Sequence, residues 1–340
     1  MCSAQQASRT VVIGVNWLGD TIMSLPALAA LRQWLPCEEI HLACPAPLAD
    51  VVRMAQVADR VWGWPRAGWR RSVLLRKIQA HRAVLFPNSF RSAWVAFLAR
   101  VRERWGYGGQ WRALLLNPCV PGARRPKGSH HSELYLGLVR AMGWSGEAPS
   151  VHLTVPEDAR KWARTILQEG SLTGPLVGIC PGAAYGPAKR WPQERFAKAA
   201  RGLMRSHGAR LVLMGSPGER QELETMARQI GPGVLNLAGR TDLPGLAAVL
   251  SQCDLLICND SGPMHLAAVL GVPVVAVFGS TDPVATAPMG PHRIVSAGSP
   301  CSPCLRRRCP EGHYRCLTGV EVRDVMEAAQ GLLGSRGSSS

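Results

Sequence analysis

The sequence predicts an α/β protein made of two doubly wound parallel-sheet domains. Three observations predict it. Short continuous apolar runs ("PLVGIC", "ARLVLM", "DLLICN", "VPVVAVFG") alternate with segments of helical spacing, as in a parallel sheet covered on both faces. The runs end at Gly182, Gly215, Asp260 and Gly279, where a strand gives way to a loop. The chain has 340 residues, too long for one typical core and suited to two.

In chain order, "TVVIGV" and "EIHLAC" read as strands with "LPALAALRQWL" the helix between them. "RVWGW" and "AVLFPNS" follow as strands and "SAWVAFLARV" as a helix. A polar, Pro-bearing shift at "APSVHLTVPED" leads into the helix "EDARKWARTILQEG". The domain boundary is placed near Gly170–Pro175, giving domains 1–172 and 173–334. In the second domain, helices "WPQERFAKAARGLMRSHG", "GERQELETMARQIG" and "GPMHLAAVLG" stop at Gly208, Gly231 and Gly271. Residues 335–340, "SRGSSS", read as a disordered tail. Doubly wound sheets bind ligands outside the carboxyl ends of their strands, and Asp20 falls there with Gly182, Gly215, Asp260 and Gly279.

Hydrophobic residues make up 46% and charged residues 18%, enough for two real cores. The 39 Lys and Arg outnumber 23 Asp and Glu, for a net charge of +16. Such a surplus points to an anionic partner: nucleic acid, a phosphorylated substrate or an acidic membrane face. The bases concentrate in Arg66–Arg82, Arg100–Arg104 and Arg112–Lys127, which predicts a basic face on the first domain. No run reaches transmembrane length. "MCSAQQASRT" has no apolar signal core, so a cytoplasmic location is expected. Eleven cysteines in such a chain suggest free thiols or a metal site more than disulfides.

Four loops carry candidate chemistry, each with a plain alternative. In "WLGDTIMSLPAL", Asp20 is either a helix cap or a base at the mouth of a sheet. In "PGAAYGPAKRWP", small residues let backbone approach a ligand, and Lys189 and Arg190 beside a helix start favour phosphate. The alternative is an ordinary loop with solvated bases. In "NDSGPMH", Asp260 or Ser261 could cap the helix, or the helix start could take an anion with His265 near a sugar or phosphate. Glu219 in "GSPGERQE" is either an acid favoured by the helix dipole or a ligand for ribose hydroxyls. The absence of G-x-G-x-x-G and Walker patterns argues against dehydrogenases and ATPases.

Taken together, "NWLGDTIMSLPAL", "FPNSFRSAWVAFLARVRERWGYGG", "PGAAYGPAKRWP" and "NDSGPMHLAAVLGVPVVAVFGSTDP" resemble the ADP-heptose:lipopolysaccharide heptosyltransferases of glycosyltransferase family nine. The forms "NSF-x-SA" and "GPAKRWP" look most like heptosyltransferase II. The resemblance runs in order through nearly the whole chain. It implies a GT-B fold, with two Rossmann-like domains facing a central cleft, acceptor side first and donor side second. It also implies inverting, metal-independent transfer of L-glycero-D-manno-heptose from ADP-heptose to the lipid A–Kdo–heptose inner core. Asp20 matches the family's catalytic base. Lys189 matches the lysine at the donor phosphates, and Glu219 an acid at the adenosine. Asp260, Ser261, Gly262 and His265 match the donor loop. Asn88, Ser89 and Arg91, in the second matched segment, take the acceptor side. The implied place is the cytoplasmic face of the inner membrane, where the basic first domain would meet anionic lipid.

Alternatives remain at this point: heptosyltransferase I, another nucleotide-sugar transferase, a sugar-nucleotide epimerase, a non-catalytic sugar-nucleotide binder, or a nucleic-acid-binding protein. No helix-turn-helix, RNA-recognition or zinc-finger pattern supports the last, so no nucleic-acid partner is expected. One segment departs from the resemblance: "CSPCLRRRCPEGHYRC". Cys301 and Cys304 have the spacing of two thiolates on one tetrahedral ion, and Cys309 and Cys316 complete a four-thiol set for structural zinc. The plain alternative is four incidental thiols. No cofactor is expected for the transfer itself.

Overall fold

The computed structural model describes residues 8–65, 68–109, 111–122, 128–168 and 174–337. The chain divides into two compact units, Met1–Thr154 and Val155–Ser340. In the first, β1 (Arg9–Ile13), β2 (Glu39–Cys44), β3 (Arg60–Gly63), β4 (Arg82–Leu85), β5 (Glu103–Tyr107) and β6 (Cys119–Val120) make a six-stranded sheet. All its strand pairs are parallel, and the order is β3-β2-β1-β4-β5-β6. Val12 pairs with Leu42 on one side and Val84 on the other. With helices on both faces, Val11, Val12, Ala83 and Val84 are wholly buried, which is why β1 and β4 read as unbroken apolar runs.

The second unit repeats this winding. Strands β7 (Leu176–Cys180), β8 (Arg210–Leu213), β9 (Val234–Asn236), β10 (Leu255–Asn259), β11 (Val274–Val277) and β12 (His292–Val295) lie in the order β12-β11-β10-β7-β8-β9. Its core gathers Val177, Ile179, Leu213, Ile257, Val275 and Val277 with Phe196 and Leu203 of helix Gln193–His207. Truncating one such side chain to Ala costs about 2–5 kcal/mol. Helix Gln193–His207 ends at Gly208, in the left-handed region at φ +61°, as its Gly predicts. Each sheet has one place where the winding reverses: between β1 and β4, and between β7 and β10. A crevice opens at such points, and ligands bind there.

Several expectations need correction. The boundary expected between 172 and 173 falls on residues 169–173, which lie outside the described ones, and the units divide after Thr154. The helix Glu157–Leu167 belongs with the second unit because it packs on helix Leu243–Leu250. The last helix runs to Gly337, into the expected tail, and residues 338–340 lie outside the described ones. Cys37 is disulfide-bonded, whereas the other described cysteines are free. Of the basic tracts, Arg66 and residues 123–127 lie outside the described residues, and Arg112 is a core side chain, only 1% exposed.

Candidate active site

The reversal point of the second sheet is built from the loop after β7 and the loop after β10. Asn259, the last residue of β10, is fully buried and stitches the first loop at both ends. Its Oδ1 accepts from the Trp191 backbone N–H at 3.0 Å, and its Nδ2 donates to the Pro181 carbonyl at 2.6 Å. Trp191 is itself locked, with its ring on Phe196 at 4.8 Å and its Nε1 donating to the Val320 carbonyl. The loop that carries Lys189 is therefore held by the core.

Asp260 follows Asn259 and is 3% exposed. Its Oδ2 accepts from Lys189 Nζ at 2.6 Å and from Thr281 Oγ1 at 2.5 Å. Of the two candidate caps, Ser261 and not Asp260 takes the cap position of the following helix. Ser261 stands at the cap position without a side-chain cap bond, and its Oγ donates to the Asn259 carbonyl at 3.2 Å. The start of helix Gly262–Val269 thus lacks a side chain over it, an arrangement that suits an anion. Gly262 opens the helix, and His265 is buried in its first turn. Lys189 gives one N–H to Asp260 and keeps two more for a ligand. A fixed ammonium beside a helix start can hold a diphosphate and stabilise it as it leaves.

Glu219 brings the third loop, after β8, to the same edge. Its Oε2 accepts from the Ser216 backbone N–H at 2.8 Å and from Ser216 Oγ at 2.6 Å, a reciprocal capping box. The plain alternative, an acid placed in a first helical turn, thus holds for Glu219. The Glu219 carboxylate lies over Gly182 so closely that a Cβ there would sit 2.1 Å from Oε1. Gly182→Ala is expected to displace the Glu219 side chain, lower ADP affinity and leave the melting temperature nearly unchanged, because a carboxylate end can swing away. Calorimetric titration with ADP beside a thermal melt checks this.

Sequence reasoning missed three contributors. Thr281 completes the Asp260 cluster from the loop after β11. The Tyr185 ring lies between two cations, with Lys189 Nζ at 5.0 Å and Arg307 Cζ at 5.3 Å from its centroid. Arg307 reaches this place because its carbonyl accepts from the Ala188 N–H at 3.2 Å, while the Leu305 carbonyl accepts from the Tyr185 hydroxyl at 2.7 Å. Thr281 stands 21 residues from Asp260 and Arg307 stands 122 from Tyr185, so no local pattern announces those two.

The cysteine-rich segment thus braces the Lys189 loop. Among the described residues, no group of three or more His, Cys, Asp or Glu side chains is placed to hold a metal ion, and this covers Cys301, Cys304, Cys309 and Cys316. The thiols are housed differently. Cys316 is packed into the second-unit core, whereas Cys301 is exposed, with Ser299 Oγ 3.3 Å from its sulfur. Burial first, and then the charges of the other three thiols, raise the Cys316 pKa. Backbone N–H groups, that of Tyr314 foremost, lower that of Cys309.

In the first unit the same edge holds Asp20. It lies in the first turn of helix Leu18–Trp34, whose cap position is Trp17, so Asp20 is not the helix cap. Burial first, and then the Asp20 charge, raise the pKa of the Tyr135 phenol. The Tyr135 ring packs at a tilt against Phe86, just past β4, with centroids 5.2 Å apart. The loop after β4 carries Asn88 and Ser89. Ser89 caps helix Phe90–Leu98, accepting from the Ser92 N–H at 3.2 Å. Asn88 Oδ1 is buried without a hydrogen-bond partner among the described residues, and Arg91 is exposed. Arg112 holds this loop from behind: its Nη1 donates to the Pro87 carbonyl at 2.7 Å, and burial lowers its pKa to about 10.

Comparison with known proteins agrees with this geometry. Residues 69–315 match the model of glycosyltransferase family 9 (heptosyltransferase). Lipopolysaccharide heptosyltransferase 2 of Escherichia coli K12 is 30% identical over 96% of this chain and 98% of its own. Lipooligosaccharide heptosyltransferase 2 of Haemophilus ducreyi is 31% identical over 96% and 99%. The solved structure of E. coli ADP-heptose lps heptosyltransferase II superposes with a TM-score of 0.82 at 28% identity, covering 97% of this chain and 99% of that one. The two Rossmann-ordered sheets are thus the pair expected of a GT-B enzyme, and the chain belongs to glycosyltransferase family 9, the heptosyltransferases.

Proposed function

We propose that the enzyme moves L-glycero-D-manno-heptose from ADP-heptose to the heptose of the lipopolysaccharide inner core, with inversion at the transferred carbon. The buried Lys189–Asp260–Thr281 cluster beside an uncapped helix start carries the donor half of this reading. The type 2 names of the full-length relatives support the acceptor half. In the reaction, the acceptor hydroxyl gives its proton to Asp20 and its oxygen bonds to the anomeric carbon. The bond from that carbon to the ADP oxygen breaks, and ADP leaves with the electron pair. The transition state has oxocarbenium character. Lys189 and the N–H groups at Gly262 offset the charge that grows on the diphosphate. Glu219 serves the adenosine ribose, while Asn88, Ser89 and Arg91 serve the acceptor.

Transfer in this scheme needs no metal, because a fixed ammonium and a helix start supply the positive charge. Activity is therefore expected to persist in excess chelator. Incubation with ADP-heptose, core-truncated acceptor and EDTA, followed by mass spectrometry, tests it. Product gained only on adding Mg²⁺ would contradict the assignment to Lys189. Because the acceptor is lipid-anchored, the enzyme works as a salt-sensitive peripheral protein at the inner membrane. No helix among the described residues is long and apolar enough to span a bilayer.

A further inference from the structure

Charge and exposed apolar side chains coincide on one face of the first unit. From Arg60 to Ser132 the chain carries fifteen Lys and Arg against one acid, Glu103. That acid is already engaged, accepting from Arg82 Nε at 2.7 Å. Among the described residues, none of Arg70, Arg76, Arg91, Arg100 and Arg102 pairs with a carboxylate.

The same stretch exposes its large apolar side chains. Phe90, Trp94 and Phe97 follow helical i, i+4, i+7 spacing along helix Phe90–Leu98, and their rings stack at 6.0 and 5.9 Å. The opposite face of that helix sends Ala93, Val95 and Ala96 into the core. The helix packs on helix Gly68–Ile78, which exposes Trp69 and Val73, and on the short turn Arg112–Leu115. At that turn Trp111 is 86% and Leu114 85% exposed. Beside Phe97 runs a groove of about 530 Å³ whose charged lining is four arginines, Arg76, Arg100, Arg102 and Arg104. The Arg104 guanidinium lies 5.7 Å from the Phe97 ring centroid.

We propose that this face is a docking surface for an anionic lipid bilayer. The rings and Leu114 enter the boundary between headgroups and acyl chains, and the arginines take the lipid phosphates. This inference deepens the membrane-anchored acceptor of the proposed function and names the residues that reach the membrane. Aromatic rings with an apolar body and a polar edge settle at that boundary, and basic side chains beside them meet the leaflet's charge. A patch of this kind is uncommon on a monomer that faces only water. Two other occupants fit less well. Phe90, Trp94 and Phe97 turn their ring faces to one another, which takes up the surfaces a base would stack on and disfavours single-stranded nucleic acid. A second copy would press arginine against arginine with no acid to receive it.

The test uses the full chain with vesicles of phosphatidylcholine, alone or with one third phosphatidylglycerol, carrying bromine on the acyl chains. Wild type is expected to sediment with the anionic vesicles at low salt and to show tryptophan quenching by bromine. Trp111→Ser/Leu114→Ser and Trp94→Ser/Phe97→Ser should each lower partitioning by about tenfold. Trp162→Ser in the second unit should not. Arg100→Glu/Arg102→Glu should remove the preference for anionic lipid. Unchanged melting and unchanged transfer to a deacylated, water-soluble acceptor show that the variants are folded and active. Wild-type partitioning by the apolar variants overturns the proposal, and so does absence of bromine quenching. It also fails if these variants break a dimer, or a nucleic-acid complex, in place of vesicle binding. Failure of transfer to the soluble acceptor by wild type, with vesicle binding intact, would count against the proposed reaction and leave the docking surface standing.

Discussion

Asp20→Ala is expected to lower kcat by about a thousandfold, inside the range that general bases contribute, while ADP affinity should stay near the wild-type value. The two effects separate because Asp20 sits on helix Leu18–Trp34 of the first unit, whereas Lys189 and Asp260 belong to the second. The fold is expected to tolerate the change. Asp20 is an acid in a first turn and not the cap, so its loss forgoes a dipole interaction of about 0.3–1 kcal/mol. Asp20→Asn is the sharper control. It keeps the shape and much of the polarity but cannot take a proton, so it should be as slow as the Ala variant. Single-turnover kinetics beside a calorimetric ADP titration measures both quantities. Near-normal turnover in either variant would remove Asp20 from the chemistry.

Lys189→Met should lower kcat/KM by roughly 10²–10³, the usual cost of losing one preorganised donor to a developing charge. ADP binding should weaken with it. The variant also loses stability for a reason independent of catalysis. The Asp260 carboxylate is left buried with only the Thr281 hydroxyl, and stripping a partner from a buried pair costs about 3–5 kcal/mol. Denaturant melts with and without ADP distinguish the two losses. Asp260→Asn offers the complementary case, since it neutralises the acid and keeps a group that can accept from Thr281. A Lys189→Met enzyme that melts early but binds ADP like wild type would mean that the lysine serves only the fold.

The parts of the molecule legible in the sequence share a physical cause. Strands β1, β7, β10 and β11 are covered on both faces, so each reads as an apolar run with a turn at its end. Strands β5, β6, β9 and β12 escape because they lie toward sheet edges and are only partly covered. β9, "VLN", is half-buried throughout, and β12, "HRIV", has a single fully buried residue. Helix Glu157–Leu167 is visible as a helix, but its allegiance is not. Its sequence does not say that Ala163 and Ile166 will pack toward the second unit. Lys189 and Asp260 in the second unit, and Asp20 in the first, each stand beside a strand end and within a matched motif. Thr281, Tyr185 and Arg307 become partners only after parallel strands and a long loop bring distant segments together. Arg112 shows the opposite error: counted among surface bases by its neighbours in sequence, it is buried and holds the Pro87 carbonyl.

Heptosyl transfer is expected onto an inner core that already carries one heptose. The most direct measurement offers the purified enzyme ADP-heptose with two defined acceptors, one bearing no heptose and one bearing a single heptose, and follows product mass over time. One heptose is expected to add to the one-heptose acceptor, and little or none to the other. Preferential use of the acceptor without heptose, or release of ADP with no acceptor gaining mass, would contradict it.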